Sequence, residues 1–439
     1  MIVPGTALSL SIEKPAAGGR MIARVDGQIV LVSGAIPGER VRARMERTTK
    51  GVAYAETIAI DEPSPDRRDA FVDPHCGGSL YAHIAYPRQL TIKADVIADA
   101  LRRIGRIELA SPVVVAASPE DGYRMRARLH VRGHRVGFFR EGTHDICDAR
   151  ATRQLLPASC DVVDRLSAAL RSLGADAVRE IDLSENVDAT ERVVHFEAAE
   201  RVDRRIIAKL ASVDGVTAGQ RVSDTLRIGD SRITLRRHVQ AFFQGNRYLL
   251  ASLVSHVAER VPVGTTVADL YAGAGLFAVA AAASRDATVF AVEDDPFAAD
   301  DLRANAAPLA GRITAVTGAV EGVAAAMRGW RGARQSPFDM AQGDRALGER
   351  SAVDSQAVDG PLAETVIVDP PRTGMSREAL EAVLGIHAAR VIYVSCDVAT
   401  LARDSRRIVD AGYAIARADA FDLFPNTPHV ETVVVFERR

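Results

Sequence analysis

The stretch TVADLYAGAGLFAVAAAA, Thr266–Ala283, decides the fold. A short apolar run ends in a glycine-rich turn, and a helix-forming segment follows at once. Gly273 and Gly275 allow the backbone to pass close to a ligand at the tip of the strand, and Ala278 completes the pattern G-x-G-x-x-A. The stretch therefore predicts the first strand, loop and helix of a sheet that binds a nucleoside cofactor.

The next predicted strand, ATVFAVE, ends at Glu293. A carboxylate at that position can accept hydrogen bonds from the two hydroxyls of a ribose. Dinucleotides and S-adenosylmethionine both contain such a ribose, so this part of the sequence is consistent with either cofactor.

Strands and helices alternate from Thr265 to the C-terminus. The further predicted strands read RITAVTG, ETVIVDPPRTG, ARVIYVSCD, YAIARADAFDLFP and TVVVFER. Such alternation predicts an α/β domain with a doubly wound, mainly parallel sheet of Rossmann-like type. We assign this domain to residues 241–439 and expect a flexible insertion at about 332–362, where the sequence is polar and has no period.

Two further domains are expected before it. Residues 1–62 read as short strands between glycine and proline turns, which predicts a small OB-like β-barrel. Residues 1–60 carry eight Lys/Arg and five Asp/Glu, so this barrel is basic and suits RNA, although a purely structural barrel is the alternative.

Residues 63–240 read as a mixed α/β domain. Within it, Asp121–Ile146 carries six arginines against three acids, which predicts either a phosphate-contacting face or a solvated one.

The length, composition, cysteine count and net charge of the chain argue against several classes of protein. The chain of 439 residues is 47% hydrophobic, yet no apolar run is long enough to span a membrane, and the first residues do not resemble a signal peptide. Four cysteines argue against a disulfide framework and for a reducing cytoplasm, and none lies in a zinc-type pair. The net charge of −2 weighs against general nucleic-acid binding but permits local basic patches. We expect a monomer without membrane, DNA or metal partners.

Polar residues at two neighbouring strand ends indicate which reactions the site could catalyse. VIVDPPR places Asp369 at a strand end, and VIYVSC places Cys396 at the end of the next strand. In open α/β sheets these ends line the ligand crevice. A lone cysteine there more often fills a core, but its neighbours favour a reactive role. Glu431 begins the last strand after a proline-rich turn and could face Cys396 as a proton acceptor.

Six segments, taken in chain order, resemble the RNA uracil-5-methyltransferase family. They read FFQGN, DLYAGAGLF, FAVE, IVDPPRTG, YVSCDVATLARD and FPNTPHVETVVVF. The N-terminal barrel resembles the TRAM module of the members that modify ribosomal RNA. The resemblance spans nearly the whole chain except the insertion, and the ordered set of motifs is highly specific.

The resemblance implies an enzyme that forms 5-methyluridine in RNA, with 23S ribosomal RNA favoured over transfer RNA. Cys396 is implied as the nucleophile that attacks C6 of uracil, and Glu431 as the acceptor of the C5 proton. Asp369 is implied to lie near a uracil that is flipped out of its stack. The residues implied to contact S-adenosylmethionine are Gln244, Tyr271, Gly273, Glu293 and Asp369.

One departure from the family concerns an iron–sulfur cluster that many relatives hold on four cysteines. This chain keeps only Cys76, and the other expected positions are Ala70, Ser79 and Thr152. One cysteine cannot hold a cluster, so we predict that the cluster is absent and that packing holds the region. Cys147 is a nearby but displaced cysteine.

A second departure and three alternative functions remain to be weighed. Asp397-Val398 stands where relatives often have Asn-Pro, but Asp397 can still cap the following helix. A decayed methyltransferase that only binds RNA or assists assembly is one alternative, and a transfer RNA methyltransferase is another. A nicotinamide-dependent oxidoreductase would suit the glycine loop alone, and the later motifs do not support it.

Overall fold

The computed structural model describes residues 4–333 and 361–439. The predicted insertion at 332–362 falls almost wholly outside the described residues. Within the described part of the chain, no helix has the length and apolar content that a membrane crossing requires.

The N-terminal residues form a six-stranded sheet, as the alternating pattern predicts. Along its fifth strand, Val41, Ala43 and Met45 are buried, whereas the arginines between them are exposed. The order of the strands is β1-β5-β6-β4-β3-β2. The strands are β1 (Ala7–Ser11), β2 (Lys14–Pro15), β3 (Met21–Val25), β4 (Gln28–Ser33), β5 (Arg40–Thr49) and β6 (Val52–Glu62).

The central region contains a five-stranded antiparallel sheet of order β10-β9-β8-β11-β12 and a hairpin of β13 and β14. One face of the larger sheet packs against α2 and α3 around a core that includes Leu129, Leu166 and Leu210. The elements are α1 (Tyr86–Arg103), β7 (Val114–Ala116), β8 (Arg126–Arg132), β9 (Arg135–Phe139), β10 (Ile146–Asp148), α2 (Pro157–Ser172), β11 (Val178–Glu185), β12 (Arg192–Ala198), α3 (Arg204–Ala211), β13 (Arg221–Ile228) and β14 (Ser231–His238).

The C-terminal region forms an eight-stranded sheet of order β17-β16-β15-β18-β19-β21-β20-β7. Its elements are α4 (Leu250–Ala258), β15 (Thr266–Leu270), α5 (Leu276–Arg285), β16 (Thr288–Glu293), α6 (Pro296–Ala306), β17 (Ile313–Thr317), α7 (Val323–Ala333), β18 (Thr365–Val368), α8 (Arg377–Leu384), β19 (Arg390–Ser395), α9 (Val398–Asp410), β20 (Tyr413–Phe421) and β21 (Glu431–Arg438). Strands β15 to β19 run parallel to one another, and β21 is antiparallel to β19 and β20.

This architecture confirms the predicted fold class, a Rossmann-like α/β domain preceded by a barrel-type sheet. Apolar cores lie on both faces of the eight-stranded sheet, as the long apolar strands require. The order of the strands reverses beside β15, and this switch point is where ligands bind in open α/β sheets. The sequence did not predict that β7 joins the edge of this sheet, parallel to β20.

Candidate active site

Parallel pairing brings three of the predicted residues to one edge of the sheet. Leu270 pairs with Val292 on one side and with Val368 on the other. The residues that follow these three, Tyr271, Glu293 and Asp369, therefore leave neighbouring strands at the same level. This edge is formed by the carboxyl ends of the strands, where the sequence placed the cofactor loop.

Antiparallel pairing brings Cys396 and Glu431 together. Ser395, the last residue of β19, pairs with Thr432 in β21. One step further along the same register, Cys396 stands opposite Glu431. The two residues are 35 positions apart in the chain (431 minus 396), and the return of the chain through β20 and β21 makes them neighbours.

All of the predicted site residues line one cavity of about 630 Å³. The size lies in the range of sites for small molecules and cofactors. The predicted residues along its wall are Gln244, Tyr271, Gly273, Glu293, Asp369, Cys396 and Glu431. The wall also includes residues to which the sequence assigned no role, among them Phe242, Arg372 and Phe424.

The loop after β15 has the backbone geometry that a close ligand requires. Tyr271, Gly273 and Gly275 all have positive φ, of 61°, 56° and 89°. At the φ of Gly275 any other side chain would be strained, and a Cβ there would lie 2.8 Å from the Leu302 side chain. Apart from its chain neighbours, the Phe242 carbonyl oxygen is the one described atom within 4 Å of a Cβ at Gly273, which leaves open space along the backbone. This cradle fits a nucleoside cofactor such as S-adenosylmethionine.

Glu293 is fixed by backbone amides. Its Oε2 accepts from the Gly273 amide at 2.7 Å, and its Oε1 accepts from the amides of Asp294 at 3.0 Å and Asp295 at 2.8 Å. Burial raises the pKa of Glu293, and these three hydrogen bonds oppose that rise. The carboxylate is thereby held beside the glycine loop, where the hydroxyls of a ribose would need it.

The reacting end of the cavity is rich in buried acids. Burial raises the pKa of Asp369 to about 7, and Gln244 donates to Asp369 Oδ2 at 3.2 Å. Burial also raises the pKa of Glu431 well above its usual value, and the charge of Asp369 adds to this effect. Burial raises the pKa of the Cys396 thiol to about 11, with a further contribution from Glu431.

Arg372 is a member of the site that sequence reasoning missed. Its positive charge opposes the rise of the pKa in both Cys396 and Glu431. The residue follows directly after Asp369 and two prolines in VIVDPPR. Its place immediately after a motif at the sheet edge was the signal that could have identified it.

The loop that precedes Glu431 is held by residues distant in the chain. The buried Lys93 of α1 donates to Asp422 Oδ1 at 2.5 Å and to the Phe424 carbonyl at 3.1 Å. Gln89 and Asn426 exchange two hydrogen bonds of 2.9 Å. The first helix therefore fixes the loop that delivers the predicted proton acceptor.

Residues of the region expected for an iron–sulfur cluster make other contacts in the structure. Cys76 is joined to Cys147 in a disulfide, and Thr152 Oγ1 donates to the Ala149 carbonyl at 2.7 Å. Among the described residues, no group of three or more His, Cys, Asp and Glu could hold a metal. The sequence predicts that packing holds this region, and the structure adds a covalent bond to that packing. The absence of the cluster stays a prediction, which an iron and sulfide assay of the purified protein checks.

Fold and cavity together fit an S-adenosylmethionine-dependent methyltransferase with an N-terminal barrel. Comparison with known families agrees, since residues 4–58 match the TRAM domain and residues 339–439 match the family described as tRNA (Uracil-5-)-methyltransferase. The chain is similar in structure to the Pyrococcus abyssi tRNA (uracil-54, C5)-methyltransferase solved with S-adenosyl-L-homocysteine. The TM-score is 0.69 at 23% identity, over 97% of this chain and 99% of that one, which supports the fold.

Curated relatives match along nearly the whole chain. The 23S rRNA (uracil(1939)-C(5))-methyltransferase RlmD of Halomonas elongata is 30% identical over 98% of this chain and 89% of its own length. The protein of the same name from Pseudomonas putida is 29% identical over 99% of this chain and 94% of its own length. The chain therefore belongs to the RNA uracil-5-methyltransferase family, as its motifs predicted. It is an S-adenosylmethionine-dependent enzyme that methylates uracil C5 in RNA.

Proposed function

We propose that the chain forms 5-methyluridine in 23S ribosomal RNA through a covalent adduct between Cys396 and C6 of the uracil. The observation that carries this chemistry is the position of Cys396 opposite Glu431, in the same cavity as the cofactor loop. A thiol nucleophile beside a proton acceptor provides both of the groups that methylation of this ring carbon requires.

The proposed mechanism starts from the low nucleophilicity of uracil C5. The Cys396 thiolate adds to C6 and forms a C–S bond, and the electrons of the C5–C6 double bond move into an enolate. S-adenosylmethionine supplies the electrophilic methyl group that C5 takes up. Glu431 then removes the C5 proton, the C–S bond breaks, and the thiolate is released from 5-methyluridine.

Arg372 is proposed to favour the reactive protonation states. Burial favours the neutral forms of Cys396 and Glu431, whereas the mechanism requires a thiolate and a carboxylate. A guanidinium at the same end of the cavity favours both charged forms. We infer that this positive charge is the main contribution of Arg372 to the reaction.

The remaining cavity residues are proposed to hold the substrates. Glu293 would accept from the ribose hydroxyls of S-adenosylmethionine, and Tyr271 and Gly273 would line its path along the loop. Gln244 would contact the cofactor while its amide fixes Asp369, which is also proposed to lie beside the uracil.

Ribosomal RNA is favoured as the substrate by the named function of the relatives. Both relatives described above are named as 23S ribosomal RNA enzymes, and each matches this chain over most of its length. We also propose that the protein acts in the cytoplasm as a monomer, and that its domains divide at 1–62, 63–240 and 241–439.

Incubation with RNA that contains 5-fluorouridine tests this function. Fluorine cannot be removed as the C5 proton is, so the adduct should accumulate with wild-type protein and be absent with Cys396→Ala. Cys160→Ala is the matched control, since Cys160 is a buried free cysteine of α2 outside the cavity, and it should still form the adduct.

Assays with 23S ribosomal RNA fragments and, separately, with transfer RNA test which RNA is the substrate. Adduct and methyl transfer on 23S fragments are expected. Activity on transfer RNA alone would overturn the ribosomal assignment. If neither RNA is methylated and neither forms an adduct, the enzymatic proposal is wrong.

A further inference from the structure

Arg126 is a cavity-lining arginine without an acidic partner. It begins β8 and pairs with Ser184 of β11, and its side chain forms part of the cavity wall. Its two terminal nitrogens donate to the carbonyl oxygens of Phe243 at 3.2 Å and Val239 at 3.3 Å. Its Nε is buried and has no hydrogen-bond partner in the described part of the chain.

The arrangement leaves a positive charge uncompensated. No carboxylate among the described residues lies within ion-pair distance of Arg126, and Asp182, whose charge opposes the fall of the Arg126 pKa, is bound by Arg128 at 3.0 Å. Burial and the charge of Arg237 lower the pKa of Arg126 to about 9, so the guanidinium is still protonated at neutral pH. Because an unpaired buried charge is costly, an anion that arrives from outside would stabilise this guanidinium.

The charges of the two substrates indicate which anion this is. The cofactor loop is already flanked by acids, namely Glu293, Asp294 and Asp295. S-adenosylmethionine carries two cationic groups, its sulfonium and its ammonium, against one carboxylate, so a guanidinium repels the molecule as a whole. A nucleotide flipped into the cavity brings a negatively charged phosphate on each side of its ribose. Arg126 reaches the cavity from the central sheet and not from the sheet that carries the cofactor loop.

We propose that Arg126 binds a backbone phosphate next to the flipped uridine. The nucleotide would then be held at two points, its base at Cys396 and its backbone at β8. This inference rests on the proposed function, since it requires an RNA substrate. It assigns to one residue the phosphate contact that the arginine-rich sequence of this region left open.

A purely structural role for Arg126 makes a different prediction. Its two hydrogen bonds hold the segment that leads to Gln244, so a structural role alone would lower the affinity for S-adenosylmethionine when they are lost. Binding of a phosphate instead affects the affinity for RNA and its dependence on salt, because each phosphate contact releases counterions.

The experiment compares full-length wild type, Arg126→Met and Arg126→Lys. In Arg126→Met we expect RNA affinity to fall by about tenfold and the slope of log Kd against log salt to decrease by about one contact, with S-adenosylmethionine affinity within about threefold of wild type. Arg126→Lys should restore the slope. The matched control is Arg227→Met, which removes an exposed arginine of the β13 hairpin outside the cavity and should change neither quantity.

A modified RNA tests the same contact without altering the protein. A neutral methylphosphonate at the linkage on either side of the target uridine should weaken binding to wild type at one linkage and cause no further loss in Arg126→Met. An unchanged salt slope in Arg126→Met, or equal losses with the modified RNA in both proteins, would overturn the proposal. If wild type fails to methylate the unmodified RNA, the proposed function is wrong instead.

Discussion

Cys396 is set apart from the other free cysteine by its neighbours and not by its acidity. Burial raises the pKa of both Cys160 and Cys396 to about 11. Cys160 lies on α2 and packs into the core between that helix and the central sheet. Cys396 instead faces Glu431 at the end of two paired strands. The proposed reactivity of Cys396 therefore rests on the cavity, the acceptor and the cation around it, which a single titration value does not reveal.

Removal of the proton acceptor should trap the intermediate. In Glu431→Gln we expect a covalent adduct with unmodified uridine RNA, because methyl transfer can occur but the C5 proton cannot leave. Turnover should fall by about 10²–10⁴-fold, which is the usual contribution of a general base. A denaturing gel measures the adduct, and Glu431→Gln combined with Cys396→Ala should show none. Turnover at the wild-type rate would contradict the assigned role of Glu431.

The activity should rise with pH. Because the pKa of Cys396 is raised to about 11, the thiolate fraction of the free enzyme grows about tenfold per pH unit between pH 7.5 and 9.5. We expect log kcat/KM for RNA to follow with a slope near one, as initial rates across this range would measure. The free energy of unfolding at each pH is the control for loss of folded protein. A flat profile would show that formation of the thiolate in the free enzyme does not limit the reaction.

At the scale of secondary-structure elements, local sequence predicted the strand ends well and their long-range supports poorly. The apolar runs that stop at Asp369 and Cys396 identified the sheet edge, because parallel strands end together at one side of a sheet. Nothing local marks the contact of α1 with the loop after β20, since Lys93 and Asp422 lie more than 300 positions apart. Strand β7 has three residues, too few for a periodic signal.

The buried ion pair of α1 predicts a large effect on stability. Lys93→Met should lower the free energy of unfolding by about 3–5 kcal/mol, because it leaves Asp422 buried without its cation. Activity should fall as well, since the loop that carries Glu431 loses its anchor. Unfolding in urea measures the first effect and methyl transfer the second.

Two variants test this interpretation of Lys93. The double variant Lys93→Met with Asp422→Asn should be more stable than Lys93→Met alone, because no unpaired charge remains. Lys14→Met removes a half-buried pair with Asp99, which keeps Arg102 and Arg103 as partners, and should cost less than about 1 kcal/mol. Equal losses in Lys14→Met and Lys93→Met would show that burial of the Lys93 pair is not decisive.

At the scale of the whole molecule, the net charge of a sequence segment does not give the charge that the folded surface presents. The excess of arginines on β8 is offset by acids of β11, where Arg128 binds Asp182. In the barrel, Arg40 and Arg42 of β5 pair with Glu62 and Asp61 of β6 in the same way. Strand pairing decides which cations stay available, and the sequence alone does not reveal these partners. The positive surface for RNA is therefore smaller than the composition indicates.

The disulfide between Cys76 and Cys147 should stabilise the connection between the segment after the barrel and the central sheet. It closes a loop across a sequence separation of 71 residues, so Cys147→Ser should lower the free energy of unfolding by about 2–4 kcal/mol. The variant should still fold, because hydrogen bonds such as Gly77 N–H to the Phe139 carbonyl at 3.0 Å remain. Affinity for S-adenosylmethionine should not change, since neither cysteine lines the cavity. Reductant should bring wild type to the stability of Cys147→Ser and leave the variant itself unaffected, as unfolding in urea with and without dithiothreitol would measure. If dithiothreitol does not change the free energy of unfolding of wild type, the two thiols are unpaired in solution and packing alone holds the region.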